Sequence, residues 1–157
     1  MSPSTCELLD ERPELGCCIL PLRSFGARRA FSGVIATVSC LEDNVVLRSA
    51  LDEPGEGRVL VVDGHGSPNV ALMGDAMAAR AAAAGWAGLV INGAIRDADA
   101  LGAIELGILA LGAVPRRAGK AGIGAAGVPV SFGAVTFEPD GTVWADADGV
   151  VVAPPGA

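Results

Sequence analysis

The spacing of hydrophobic and polar positions changes several times along this chain, and each change marks an element. Residues 33–40, GVIATVSC, carry the β-branched side chains Val34, Ile35, Thr37 and Val38 and predict a strand. Ile19 to Leu22 predicts another upstream, with the polar turn SFGARR between the two. Asp43 to Leu51 starts with Asp and Asn and carries apolar residues at helical spacing, which predicts a short helix before the turn DEPGEG. Arg58 to Asp63, RVLVVD, is the continuous apolar run of a strand buried on both faces. After the Gly-rich turn GHGSPN, Gly74 and Asp75 open AMAARAAAAGW, an alanine-rich helix ending near Gly85. Leu89 to Asn92 reads as a further buried strand, AIRDADALGAIE as a turn and a short helix begun by Asp97, and Gly107 to Leu111 as a short apolar strand. Arg116 to Gly127 is glycine-rich and basic, and VPVSFGAVTF, TVWAD and GVVV supply a late cluster of strands. Strands, then β-α-β-α-β, then strands again imply an α/β layered domain with mixed sheets. Neither a periodic repeat nor a low-complexity linker divides residues 1–157, so one domain is expected.

Composition narrows the chemistry. At 51% hydrophobic the chain is too apolar to be a disordered tail. Eighteen acidic against eleven basic residues give a formal charge of -7, and there is no Tyr, so direct nucleic-acid binding is disfavoured. Ala81 to Ile95, the most apolar stretch, is shorter than the about 20 residues of a membrane span, contains Asn92 and lies between Arg80 and Arg96. No transmembrane helix is expected. His65 is the only histidine, so a metal site built on several imidazoles cannot form within one chain, and any metal must rest largely on oxygen ligands. Cys6, Cys17, Cys18 and Cys40 lack CxxC spacing and follow no secretory signal, which reads as reduced cytoplasmic thiols, mostly filling the core.

Two short segments carry candidate chemistry. Gly74-Asp75-Ala76-Met77 opens a helix, where unpaired backbone N–H groups and the helix dipole suit a carboxylate or phosphate. The same Asp75 also reads simply as an N-cap. Arg96-Asp97 follows a buried strand, where α/β folds place functional loops, and equally fits a solvated turn. One helix, one reversal and one strand fill the interval, which brings Asp75, Arg96 and Asp97 towards one cleft. Two carboxylates beside a guanidinium suit a hard divalent cation holding an anionic oxygen substrate.

The run VLVVDGHGSPNVALMGDAMAARAAAAGWAGLVINGAIRDADAL, followed by GILALGAVPRRAGKAGIG, VSFGAVTFEPDG and ADADGVVV, resembles the family of regulator of ribonuclease activity A and the 4-hydroxy-4-methyl-2-oxoglutarate aldolases. The resemblance covers roughly residues 5 to 152, and the aldolase pattern of Asp, twenty residues, then Arg-Asp is met by Asp75 and Arg96-Asp97. It implies a layered β/β/α, swivelling-type fold assembled as a cytoplasmic homotrimer with a divalent metal, Mg²⁺ or Mn²⁺. By position, Asp97 would ligate the metal and Arg96 would hold the substrate carboxylate and enolate oxygen. The N–H groups of Gly74, Asp75, Ala76 and Met77 would cradle the carboxylate, and Asp75 would orient a water for proton transfer. The implied activity is a class II aldolase cleaving 4-hydroxy-4-methyl-2-oxoglutarate or a related 2-oxo acid to pyruvate, with oxaloacetate decarboxylase activity.

Elimination points the same way. A Schiff-base aldolase needs a desolvated lysine, whereas the only lysine, Lys120, lies in the polar, glycine-rich RRAGKAGIG. The basic group Arg116, Arg117 and Lys120 is expected to keep that loop in water, and His65 to be a solvated turn residue rather than a base. The alternative function is a protein that docks on ribonuclease E and inhibits it. Such a role has no need of the Asp75, Arg96, Asp97 set, which this chain retains.

Overall fold

The computed structural model describes residues 2–157. In chain order the elements are α1 (Thr5–Glu11), β1 (Gly16–Cys18), β2 (Arg23–Ser24), β3 (Phe31–Ser39), α2 (Val45–Leu51), β4 (Val59–Asp63), β5 (Ala71–Met73), α3 (Asp75–Ala83), β6 (Gly88–Ile95), α4 (Ala98–Leu101), β7 (Gly107–Ala113), β8 (Ala125–Ala126), β9 (Val130–Phe132), β10 (Val135–Phe137), β11 (Thr142–Asp146) and β12 (Gly149–Ala153). Strands β3, β4, β6 and β7 run parallel side by side, and antiparallel strands extend them on both flanks to the order β1-β12-β11-β3-β4-β6-β7-β2. The mixed α/β architecture is the one expected from the alternation of elements.

All five residues of β4, VLVVD, are buried, because β4 has parallel neighbours on both edges and a packed layer on each face. Successive residues face opposite layers. Leu60 and Val62 join Leu47, Leu51, Met77, Ala78 and Ala81 beneath the helices, while Val59 and Val61 join Phe31, Ile35, Phe132, Phe137 and Val143 beneath the strand layer. The last strands therefore fold back over one face while α2 and α3 cover the other, which gives the β/β/α layering.

Several sequence expectations change in detail. Ile19 to Leu22 is not a strand: pairing with β12 stops at Cys18, Pro21 has no N–H to offer a ladder, and the segment crosses from one edge of the sheet to the other before β2 pairs with β7. Strand β6 runs beyond Asn92 to Ile95, because β5, three residues too short to stand out in the sequence, pairs along its second half. Helix α1, also unforeseen, is held by Asp146, whose carboxylate accepts from Thr5 N–H at 2.8 Å and from Thr5 Oγ1 at 2.7 Å. Only Cys18 and Cys40 fill the core; Cys6 and Cys17 are exposed, and all four are free. Burial pushes the Cys40 thiol up to about 11. Among the described residues no helix is long and apolar enough to cross a membrane.

The basic, glycine-rich segment is the largest departure, because it is tied down. Ala71 N–H donates to Arg116 O at 2.7 Å, Ala118 N–H to Ala71 O at 3.2 Å, and Gly119 N–H to Glu42 O at 2.8 Å. The buried Asp43 then closes the loop, accepting from Gly122 N–H at 3.1 Å and from Ala121 and Val45 N–H. Burial alone would raise the Asp43 carboxyl, but the backbone donors of Val45, Ala121, Gly122 and Ile123 outweigh it and hold it below the usual range. A depressed folded value means that this anchor is complete above about pH 4 and is lost as pH falls through the lower folded value. Amide exchange at Ala121 and Gly122, read by mass spectrometry or NMR, will accelerate over that acid range. Asp43→Ala will produce the acceleration at neutral pH, by roughly ten- to a hundredfold, the worth of hydrogen bonds to a charged acceptor.

Candidate functional site

Strands β5 and β6 end together, and that coincidence builds the site. Arg96 N–H donates to Met73 O at 3.0 Å, so the last residue of β5 and the residue after β6 are stitched side by side. From this point one chain enters α3 through Gly74 and the other enters α4 through Asp97. Gly74, not Asp75, is the N-cap of α3, and it makes no side-chain cap bond because it has no side chain. The missing cap comes from across the stitch: Asp97 Oδ2 accepts from Asp75 N–H at 3.0 Å. Asp97 reaches it by adopting the left-handed conformation, φ 59 and ψ 41, which Asp tolerates better than most residues. A Cβ at position 74 would strike Asp97 Oδ2 and come within 3.3 Å of Arg96 Cγ and Nε. Glycine is required there so that the Asp97 carboxylate can approach the helix.

The electrostatics follow from this arrangement. The Asp75 N–H bond holds the Asp97 carboxyl below the usual carboxylate range, helped by the Asp75 side chain, Arg96 and Arg117 and opposed by desolvation. Arg96 Nε lies 4.0 Å from Asp97 Oδ2, with both side chains about a third exposed, at 31% and 38%. Because Asp97 occupies the Asp75 N–H, the helix start offers an anionic ligand fewer donors than the sequence implies, chiefly those of Ala76 and Met77.

A cleft of about 200 Å³ opens over this junction. That is below the about 300–1,000 Å³ typical of drug-sized pockets and suits a small metabolite. Gly74, Asp75, Ala76, Met77, Arg96 and Asp97, the site residues expected from sequence, all line it. Four polar residues that sequence reasoning had not placed there line it too: Asn44 and Arg48 from α2 and its cap, and Arg117 and Lys120 from the anchored loop. The basic loop is exposed, as expected, and also supplies a cationic wall of the cleft. Its signal in the sequence was Asp43, the buried acid that fastens it, but no spacing rule reveals that a buried carboxylate is reaching a loop nearly eighty residues away. The cleft thus has four cationic side chains against the two carboxylates of Asp75 and Asp97, in a chain whose formal charge is -7.

His65 lies elsewhere. Its ring Nε2 is 3.1 Å from Ser39 Oγ and its Nδ1 is 3.7 Å from Asp63 Oδ2, on a turn where His65 has φ 57. Among the described residues no group of three or more His, Cys, Asp or Glu side chains is gathered to hold a metal. Two carboxylates in an open cleft suit a hard cation that keeps most of its waters, and do not suit a cation that needs a full protein cage.

A mixed-sheet α/β fold carrying a small cationic cleft at a helix start has the charge and size to suit a small anion. Residues 5–152 match the RraA-like family, Aldolase/RraA, and the chain belongs to it. It is 49% identical over 153 residues, 98% of this chain and 92% of the relative, to a protein of Xanthomonas campestris pv. campestris (strain 8004) named "Putative 4-hydroxy-4-methyl-2-oxoglutarate aldolase". Among solved structures it is similar to a Geobacillus kaustophilus HTA426 protein described as S-adenosylmethionine: 2-dimethylmenaquinone methyltransferase, with TM-score 0.95 and 49% identity over 98% of this chain and 96% of that one. It is equally similar in fold to the RNA-processing inhibitor RraA from Thermus thermophilis, with TM-score 0.96 and 39% identity over 100% of this chain and 96% of that one.

The cap across the stitch has a measurable cost when removed. Asp97→Ala will lower unfolding stability by about 1 kcal/mol in urea titration, the typical worth of a lost helix cap. Asp97→Asn keeps an acceptor oxygen and the tolerance for the left-handed region, and will retain most of that stability.

Proposed function

We propose that this chain is a divalent-metal-dependent lyase that cleaves 4-hydroxy-4-methyl-2-oxoglutarate or a related 2-oxo acid to pyruvate and also decarboxylates oxaloacetate. The observation that carries the reading is the convergence of Arg96, Asp97 and the start of α3 on one small cationic cleft. The three names borne by similar proteins differ, so a shared fold does not choose among them and the site must.

Asp97 would hold the cation, with Asp75 beside it. When bound, such a cation supplies Lewis-acid polarisation of the substrate's C2 carbonyl. Arg96 pairs with the 1-carboxylate and the developing oxyanion, and the free N–H groups of Ala76 and Met77 take the second carboxylate oxygen. As the C3–C4 bond breaks, its electron pair passes to C2 and its oxygen, and the C4 hydroxyl becomes a carbonyl as its proton leaves. Asp75, exposed at the cleft and within reach of water, moves that proton and returns one to C3 of the enolate. Loss of CO₂ from oxaloacetate passes through the same enolate and needs the same residues.

Lys120 lines the cleft, yet it is exposed, unlike the desolvated lysine that a Schiff base requires. Exposed apolar side chains, Leu41, Val45 and Ile123 among them, are available to the homotrimer that the family resemblance implies. The likeness to the RNA-processing inhibitor supports a second reading, docking on ribonuclease E, which uses surface and not the cleft.

Pyruvate release from 4-hydroxy-4-methyl-2-oxoglutarate and from oxaloacetate, followed by a coupled assay, tests the proposal. Turnover will require Mg²⁺ or Mn²⁺ and vanish with EDTA. Arg96→Ala and Asp97→Asn will each lower kcat by roughly a hundredfold or more, the scale of losing one group that stabilises the transition-state charge. Borohydride added with pyruvate will trap no adduct. Trapping at Lys120, or full turnover by Asp97→Asn, contradicts the mechanism; folded wild type with no turnover moves the inhibitor reading forward.

A further inference from the structure

The only histidine, His65, takes no part in the chemistry above, and neither do the two side chains its ring approaches, Ser39 and Asp63. None of the three lines the cleft. Their placement follows from the sheet. Ser39 pairs in register with Asp63 across β3 and β4, and Asp63 with Asn92 across β4 and β6, so the three side chains share one face near the C-terminal ends of parallel strands. Open α/β sheets carry their ligands at those ends.

The turn after β4 brings His65 back over this row. Its own N–H donates to Asp63 Oδ1 at 2.9 Å and Asn92 Nδ2 donates to the same oxygen at 3.0 Å, which fixes the carboxylate and leaves Oδ2 towards the ring. His65 Nδ1 lies 3.7 Å from Asp63 Oδ2, and His65 Nε2 lies 3.1 Å from Ser39 Oγ. The first distance exceeds a hydrogen bond, as catalytic contacts often do before a substrate arrives. A carboxylate at Nδ1 favours the ring with its proton on that nitrogen, so Nε2 is left to accept from the Ser39 hydroxyl. The order is hydroxyl, imidazole, carboxylate. Two further features separate it from a solvated turn. His65 holds φ 57 between Gly64 and Gly66, where glycine would sit without strain. Asp63 is buried, whereas His65 is exposed and Ser39 half-buried, so the acid is shielded and the hydroxyl can be reached.

We infer that Ser39, His65 and Asp63 form a second site, independent of the lyase reading, that hydrolyses activated esters of small carboxylic acids. Ser39 Oγ attacks the acyl carbon as its proton passes to His65 Nε2. The tetrahedral adduct collapses, the bond to the leaving oxygen or sulfur breaks with its electron pair, and His65 returns the proton to that atom, which leaves an acyl ester on Ser39. Water attacks this ester and gives a proton to Nε2; the carboxylic acid departs and the proton goes back to Ser39 Oγ. Asp63 positions the ring and does not touch the substrate. The backbone sets the substrate class. The N–H groups of Gly64, His65, Gly66 and Ser67 are all engaged within the turn and with Asn92 O, so the turn supplies no oxyanion hole, of which a single donor is worth about 10²–10³ in rate. An aryl or thiol leaving group, stable as an anion, lowers that demand, and an amide does not.

Hydrolysis of 4-nitrophenyl acetate and of the thioester S-acetyl-N-acetylcysteamine is followed in the full chain with EDTA present, which silences the metal-dependent reaction. Both will be cleaved, 4-nitroacetanilide will not, and peptide mapping after an acid quench will find acetyl on Ser39. Ser39→Ala and His65→Asn will each lower the rate by roughly a hundredfold or more, the scale of losing general-base catalysis, with circular dichroism checking the fold. Asn is chosen at 65 because it tolerates the left-handed backbone. No cleavage by wild type, a rate unchanged in Ser39→Ala, or acetyl only on His65 or on the exposed Cys6 and Cys17 overturns the inference. Ring ¹⁵N NMR gives a readout besides activity, and one histidine makes it unambiguous. The neutral ring will carry its proton on Nδ1. In Asp63→Asn the amide oxygen stays with the two donors and the amide NH₂ faces the ring, which will move that proton to Nε2. A wild-type ring protonated on Nε2 overturns the inference, whether or not this variant folds.

Discussion

A single hydrogen bond, from Asp75 N–H to Asp97 Oδ2, joins the start of α3 to the end of β6, and the site is organised around it. It explains why residue 97 accepts a left-handed backbone, why residue 74 has no side chain, and why Arg96 is held against the last carbonyl of β5. It also fixes the sign of the local field. A carboxylate set on a helix N-terminus and beside two guanidinium groups stays ionised into the acid range, so Asp97 presents a permanent negative charge at the floor of a cationic cleft. A cation lodged there would find one charged oxygen ligand already oriented, with Asp75 alongside.

The rest of the fold serves to hold four separate stretches of chain at that junction. The buried parallel strands bring β5 and β6 to a common end, α2 packs along α3, and Asp43 fastens the loop that carries Arg117 and Lys120. In a chain with formal charge -7, gathering four cationic side chains around about 200 Å³ concentrates the attraction for an anion at one place while the remaining surface repels it. In the proposed reaction the β6 end and the α3 start would face the 2-oxo acid group.

Much of this was legible in the sequence, and the parts that were not share a cause. The parallel core strands β3, β4, β6 and β7 and the helices α2 and α3 announce themselves through long apolar runs and helical spacing. Asp75, Arg96 and Asp97 could be brought together because one helix and one strand fill the interval between them. Strand β5 and helix α1 escaped because they are short and are stabilised by partners distant in sequence, β6 and Asp146. The same holds for the cleft walls. Nothing local in RRAGKAG shows that Asp43 and Ala71 pin it, or that Arg117 and Lys120 consequently line the same cleft as Arg96. Asn44 reads as a helix cap in sequence, whereas its side chain is spent on Leu72 and Met77. Sequence pattern locates elements and near neighbours; long-range hydrogen bonds decide which polar side chains share a cavity.

The central claim is that Asp97 serves both as the cap of α3 and as the seat of a divalent cation. Crystals grown with Mn²⁺ and oxalate, a stable mimic of the pyruvate enolate, test it through the anomalous signal of manganese. The account predicts one strong peak in the cleft, within the about 2.0–2.6 Å typical of hard-cation oxygen ligands from Asp97, with the Asp75 N–H bond retained. A peak away from Asp97, or an empty cleft at saturating Mn²⁺, would contradict it.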